Sequence, residues 1–258
     1  MAEEKQQNEL VTLAETSVTE PATETDEDEG NMSLIAHLTE LRSRLIKCLM
    51  ATALGSCLSY VYIDQIMHYL TLPAGKLYYM QPSEAFFTYL KVACVVGFLI
   101  ALPVIFWQVW RFFLPALTKR ERMIIGVVVP ISVILFFCGL AFSFFLVLPA
   151  VVHFFMGFGN SELEALFSVN KYFDFVIMFV MPFGFIFELP LVITVLGSMG
   201  LVKSSFLGKH QRMVIFLSFV VAAVITPTPD VFTQSMIALP IVALYEVGYL
   251  IVKYILRK

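Results

Sequence analysis

Six long runs of apolar residues, each bounded by polar or turn-forming positions, dominate this chain. A bilayer core about 30 Å thick takes roughly 20 apolar residues as helix. The runs at about 45–63, 89–110, 123–148, 172–198, 213–226 and 231–252 meet or approach that length. The pattern predicts an all-α polytopic membrane protein with six transmembrane helices. Breakers mark the ends: Pro73, Gly75 and Pro82 in the first connection, Pro115 in the second, Pro149 and the stretch from Gly157 to Ser161 in the third. Thr226-Pro227-Thr228-Pro229-Asp230 separates the last two runs, with Asp230 placed to cap the sixth helix. Pro103, Pro130, Pro182, Pro190 and Pro240 fall inside runs. Each removes a ladder N–H and bends its helix, so a concave scaffold of bent spans is expected. Span five stands apart, because Met213 to Thr226 gives only about 21 Å of helix. A span that short either thins the bilayer or is half-shielded, here by spans four and six.

Polar residues are distributed unevenly. Residues 1–31 carry ten acidic side chains and one base, Lys5, without apolar periodicity. That segment reads as a disordered acidic tail ahead of a membrane domain at 32–258. It has neither the apolar core of a secretory signal nor the basic character of a transit peptide. The remainder is basic, and its charge is sided. Arg42, Arg44, Lys47, Arg111, Lys119, Arg120, Arg122, Lys203, Lys209, Arg212, Lys253, Arg257 and Lys258 fall at one face, against Lys76, Lys91 and Lys171 at the other. The positive-inside rule then places both termini of this multi-pass chain in the cytoplasm.

Against that background a few carboxylates stand out. Glu40 lies in His37-Leu38-Thr39-Glu40-Leu41-Arg42-Ser43-Arg44, and Glu121 in Leu117-Thr118-Lys119-Arg120-Glu121-Arg122. Leu34, Leu38, Leu41 and Leu45 give the first segment an apolar stripe suited to an interfacial helix leading into span one. Glu40 has Arg44 at i+4, a pair worth a few tenths of a kcal/mol, and Glu121 has basic neighbours on both sides. Each is engaged either by its own chain or by a cationic ligand. Two such carboxylates at one membrane face suit adjacent guanidinium groups, which bind carboxylates bidentately. Glu188 is the carboxylate nearest the middle of a span, where a charge costs about 2.5–3.5 kcal/mol on insertion scales. It is expected to serve a partner helix or a hydrated path, or to bond to a carbonyl freed by a nearby proline. Glu246, toward the end of span six, is explained by snorkelling and an interfacial ion pair with Lys253.

Other chemistry is not written here. No nucleotide-binding loop, H-E-x-x-H or G-x-S-x-G occurs, and Cys48, Cys57, Cys94 and Cys138 sit in apolar runs without metal spacing. No catalytic residue, metal, cofactor or nucleic-acid partner is expected, and the chain reads as not an enzyme. The residues alone leave one rival, a proton-coupled small-molecule transporter using Glu188.

Several separate segments, in order, resemble the TatC family, the multispanning subunit of the twin-arginine protein translocase. They are 37–44, Gln81-Pro82-Ser83-Glu84-Ala85-Phe86-Phe87, the run from Phe106 to Leu117 with Glu121-Arg122, Phe187-Glu188-Leu189-Pro190, and Thr226 to Gln234. The resemblance covers about residues 32–252. It implies binding of twin-arginine signal peptides of folded precursors through Glu40 and Glu121, with Leu41 and Arg42 beside them, and export driven by proton-motive force. It further implies an intramembrane polar position facing the concave side at Glu188, while Glu246 is read from its own place in span six as a second polar contact for partners. Pro82, Glu84 and Phe87 match the first external loop, and Asp230 the external turn before span six. Partners implied are single-span TatA/TatB-type subunits, which contact spans five and six, together with other copies of the receptor complex and the lipid bilayer.

Overall fold

A computed structural model describes residues 25–72, 77–113, 122–158, 167–226 and 230–256. The chain divides into two compact units, Met1–Leu45 and Ile46–Lys258. Helix α1 (Thr25–Val61) begins within the acidic segment and carries the first span. Then follow α2 (Ile63–Thr71), β1 (Leu77–Tyr78), α3 (Pro82–Phe113), α4 (Arg122–Phe142), α5 (Leu148–Met156), β2 (Phe167–Ser168), α6 (Val169–Phe187), α7 (Leu189–Ser198), α8 (Ser204–Ile225) and α9 (Val231–Leu250). Six helical stretches are long and apolar enough to cross a membrane: Leu38–Val61, Pro82–Phe112, Gly126–Met156, Val169–Ser198, Ser204–Ile225 and Val231–Ile255.

The core of the larger unit is built around α6. Tyr172, Phe173, Val176, Phe179, Phe183 and Ile186 recur at helical spacing and are all buried, packed against Val92 and Ala93 of α3, Leu148 and Val151 of α5, and Ile237 and Ala238 of α9. Small residues set the closest approaches. A side chain on Gly184 would enter the Phe136 ring, one on Gly197 would meet Val252, and one on Gly248 would meet Ile193 and Pro190. Span one crosses span two where Gly55 lies against the Gly97 carbonyl and Gly97 against the Ser56 backbone, the small-residue contact by which helices pack in lipid. Gly97→Leu should therefore force backbone apart and lower stability by about 1–3 kcal/mol. Thermal unfolding in detergent checks this, with Gly126→Ala, which meets nothing within 4 Å, expected to match the parent.

Four features differ from the sequence reading. Pro149 does not end span three: a π-helical turn over Ser143–Val147 runs directly into α5, with Pro149 in its first turn. There the missing proline N–H coincides with a register change in the ladder. Span four is interrupted, with α6 ending and α7 starting at Glu188, two residues before Pro190. Span five is not short, since α8 has 22 residues and takes Lys209, His210, Gln211 and Arg212 onto the helix. It is shielded on one side only: Met213, Phe216, Leu217, Val220, Val221 and Val224 are exposed along one stripe, and Leu207, Ser218 and Ala222 form the buried edge. Finally, α2 and the parallel pairing of Leu77 with Phe167 and Tyr78 with Ser168 lie in segments read as connections.

Gly200 explains how α8 gains its extra length. It adopts φ 77°, its N–H donates to the Gly197 carbonyl (3.0 Å), and the Leu201 N–H donates to Leu196 (3.1 Å). This left-handed glycine cap stops α7 sharply and lets a new helix begin at Ser204 instead of after Arg212.

Candidate functional site

The segment around Glu40 is helical, as the leucine stripe requires. Arg44 Nε donates to Glu40 Oε1 at 3.1 Å, and Arg44 Nη2 also contacts that oxygen. Leu38, Leu41 and Leu45 are exposed, as is Arg42. An i,i+4 pair on such a helix is worth a few tenths of a kcal/mol, so it holds the carboxylate weakly. Glu121 lies outside the described residues.

Glu188 occupies the junction of α6 and α7. Its N–H donates to the Phe185 carbonyl (3.1 Å), while its own carbonyl accepts from Val192 (2.9 Å). The side chain is 8% exposed. On α4, the fully buried Ser132 accepts at Oγ from the Trp110 indole N–H of α3 at 3.1 Å. Among the described residues, Oε1 of Glu188 has no hydrogen-bond partner.

Glu246 also finds a different partner from the one expected. Gln211 Nε2 of α8 donates to both its carboxylate oxygens, at 2.9 and 3.1 Å, whereas the Lys253 ammonium lies over the rings of Tyr249 and Tyr254, 5.4 Å from each centroid. Lys253 is seven residues on, two turns away, and Gln211 is simply nearer. Two further polar contacts join the same helices. Tyr245 donates to the Leu207 carbonyl at 2.9 Å, and Gln234 to the Phe219 carbonyl at 2.8 Å. Together they clamp α8 to α9 along its length, leaving the outer stripe of α8 free. An apolar groove of about 630 Å³ runs between Phe185, Ile186 and Leu189 on one side and Leu217, Val221 and Ile241 on the other.

At the end of the bundle that bears the first and third connections, Glu84 is a hub. It accepts from the Met80 N–H (2.6 Å), the Asn170 N–H (3.0 Å) and the Ser168 hydroxyl, so one carboxylate fastens the β1–β2 pairing to the starts of α3 and α6. Lys91 adds bonds to Asn170 Oδ1 (2.8 Å) and to Asp174, and Tyr172 donates to the Leu70 carbonyl (3.0 Å). Pro82 opens α3, where a missing N–H costs nothing. Phe87 is exposed beside Phe86. Asp230 caps α9, accepting from the Thr233 N–H at 2.7 Å. Glu84→Ala should leave both connections less protected, with amide hydrogen exchange at Met80 and Asn170 faster by about tenfold, because each N–H loses its bond to a charged group. Unchanged exchange there would remove the hub role.

Ser132, Gln211, Ser168 and Asn170 went unremarked in the sequence, and Trp110 figured there only within the run from Phe106 to Leu117. Each is an uncharged polar residue, and only a polar position inside an otherwise apolar run, as at Ser132, gave a signal.

Comparisons with known proteins agree with this architecture. Residues 36–240 match the family described as "Sec-independent protein translocase protein (TatC)". The chain is 36% identical over 235 residues to the Sec-independent protein translocase protein TatC of Carboxydothermus hydrogenoformans, covering 90% of this chain and 97% of that one. It is 39% identical over 223 residues to the TatC protein of Synechocystis, covering 86% and 88%. A crystal structure described as the twin arginine translocase receptor TatC superposes with a TM-score of 0.74 at 36% identity, covering 84% of this chain and 98% of that one. The six apolar spans, their order and these matches lead to one conclusion: this chain belongs to the TatC family and is a multi-pass membrane subunit of the twin-arginine protein translocase.

Proposed function

We propose that this subunit is the receptor that binds twin-arginine signal peptides of folded precursors at the cytoplasmic face. It also scaffolds single-span TatA/TatB-type subunits, and further copies of itself, for export driven by proton-motive force. The observation that carries the reading is the likeness, at 36% identity and a TM-score of 0.74, to a protein described as the twin arginine translocase receptor. Glu40 and Glu121 are the acceptors for the signal's arginines, each in a basic segment that the positive-inside rule assigns to the cytoplasm. Leu41 and Arg42, exposed beside Glu40, contact the flanking signal residues. The acidic tail at 1–31 precedes this membrane domain in the cytoplasm, and the membrane is the bacterial inner membrane.

The exposed stripe of α8, clamped to α9 from behind, is an apolar surface for a partner helix, with Glu246 and Gln211 at one end. Glu188 supplies a polar contact within the bilayer. Glu84, Pro82, Phe87 and Asp230 shape the external end. Such a protein holds and aligns its partners and performs no covalent chemistry. The test is export of a twin-arginine precursor by cells carrying Phe216→Lys, a charge placed on the outer stripe of α8. Association with the single-span subunits is expected to fall while signal binding persists. Retained association would dismiss α8 as their docking face.

A further inference from the structure

Spans two, three and four meet around a groove of about 270 Å³ that the described side chains leave open. Val95 and Leu99 of α3, Phe137 and Ala141 of α4, and Ile177 and Met181 of α6 form its walls, and every residue lining it is apolar. Phe137 and Ala141 are exposed, so the groove opens sideways along α4. Both of its ends are closed. Leu70 of α2 and Phe173 bound it toward the first and third connections. At the other end Leu99, Val180 and Met181 pack onto the buried cluster of Leu102, Phe136 and Leu140. From Val92 to Leu99 on α3, and from Phe173 to Met181 on α6, the groove runs only about 10–12 Å at 1.5 Å per residue. That is less than half of a bilayer core about 30 Å thick, so the groove lies within one leaflet.

This length decides the occupant. A partner helix would have to be about 10–12 Å wide and cross the whole core, and the groove ends too soon for it. Water needs two to four polar partners, and these walls offer none. An unfilled groove forfeits dispersion contacts along its lining. An acyl chain is thin, apolar and as long as one leaflet. It gains little from the walls alone, because lipid tails are as apolar as leucine. Selection of one lipid over another therefore falls to the rim.

Lys91 and Asp174 stand at that rim, next in sequence to Val92 and Phe173 and about one turn before Val95 and Ile177. The Lys91 ammonium bonds to Asn170 Oδ1 (2.8 Å) and to Asp174, and the two side chains stay 36% and 48% exposed. An ammonium has three donors and a carboxylate has several acceptor sites, so each keeps capacity for a ligand. Neighbouring charges do not share the rim. Glu84 is engaged by Met80, Ser168 and Asn170, and Lys171 leaves α6 about 160° away from Phe173. One cation and one anion side by side complement a zwitterionic headgroup, phosphate to lysine and ammonium to aspartate. A primary ammonium donates hydrogen bonds to Asp174, whereas a trimethylammonium has none to give.

We propose that this groove is a binding site for phosphatidylethanolamine. One acyl chain lies between spans two, three and four, the phosphate bonds to Lys91 and the ammonium to Asp174.

The test uses the full-length protein in detergent micelles and a phosphatidylethanolamine carrying a diazirine midway along one acyl chain. Photoadducts are mapped by mass spectrometry while unlabelled phosphatidylethanolamine, phosphatidylcholine or phosphatidylglycerol competes. Adducts are expected to concentrate at Leu99, Phe137 and Met181. Phosphatidylethanolamine is expected to compete about tenfold better than the other two, the scale of one charge-assisted hydrogen bond. Ala141→Trp, which fills the groove from an exposed position, is expected to remove these adducts. Asp174→Asn leaves the groove intact, so it should keep the adducts and make phosphatidylethanolamine and phosphatidylcholine compete equally. Adducts spread evenly over the lipid-facing residues, or unchanged in a folded Ala141→Trp protein, overturn the site. Should Ala141→Trp not fold, Asp174→Asn decides, and a preference that survives it overturns the headgroup contact. Equal competition by all three lipids, or strongest competition by phosphatidylglycerol, also overturns the proposal. So does labelling of these residues by a photoreactive twin-arginine signal in place of the lipid.

Discussion

Replacing Glu121 or Glu40 by alanine is expected to weaken binding of a twin-arginine signal peptide between tenfold and a hundredfold, the largest effect of any single change in this protein. The magnitude follows from the bond removed. A charge-assisted contact between guanidinium and carboxylate is worth about 1.5–3 kcal/mol net, and 1.4 kcal/mol is a factor of ten. Glu40 is already bonded by Arg44, but that pair sits on one helix at i+4 and is held by a few tenths of a kcal/mol. An incoming arginine displaces it at little cost. Arg44→Gln should therefore leave signal binding intact or strengthen it slightly, while Glu40→Ala weakens it. A signal with lysines in place of its arginines should bind more weakly to the parent, because lysine lacks the planar fork. Equilibrium binding of a fluorescent signal peptide to inverted membranes measures all three. Equal affinity for parent and both alanine variants would reject the acceptor role.

Glu188→Ala is expected to lower export about tenfold or more while the protein still inserts and folds. The side chain is 8% exposed in the middle of span four, where a carboxyl is costly to keep. It caps no helix end with its side chain: the ends of α6 and α7 at this junction are joined through its backbone. Removing the carboxyl therefore deletes a polar contact and leaves the break itself in place, because Pro190 maintains it. The alanine variant should keep the parent's thermal unfolding in detergent within about 1 kcal/mol, since an under-satisfied buried acid contributes little to stability. A loss of export accompanied by an equal loss of folded protein would make Glu188 a folding residue, and undiminished export would make it neither.

The spans were legible because their signal is simple: about 20 apolar residues and sided positive charge need no tertiary information. Asp230 as the α9 cap was legible for the same reason, an acidic residue directly before an apolar run. What failed depended on partners from elsewhere in the chain. Proline was read as a stop at Pro149, but a π-turn upstream absorbs the missing N–H. Span five was measured from its first apolar residue, although a helix is defined by its ladder, and the turn at Gly200 lets that ladder start at Ser204. The site divides likewise. Glu84 was placed from its motif in a loop, yet nothing local announces that Ser168 and Asn170, more than 80 residues later, bond to it. Glu246 was matched with the nearest base in sequence and took Gln211 of the neighbouring helix instead. Ser132 and Trp110 became visible as a pair only when two spans were assembled.

The central claim is that this subunit receives the paired arginines at the segments bearing Glu40 and Glu121. The most direct measurement places a photocrosslinking residue immediately beside the two arginines of a precursor signal and maps its adducts on the full-length protein in membranes. The account predicts adducts within residues 37–44 and 117–122, lost when the two arginines are replaced by lysines and diminished by Glu40→Ala and Glu121→Ala. Adducts that fall elsewhere, or that persist with the lysine signal and with both alanine variants, would contradict it.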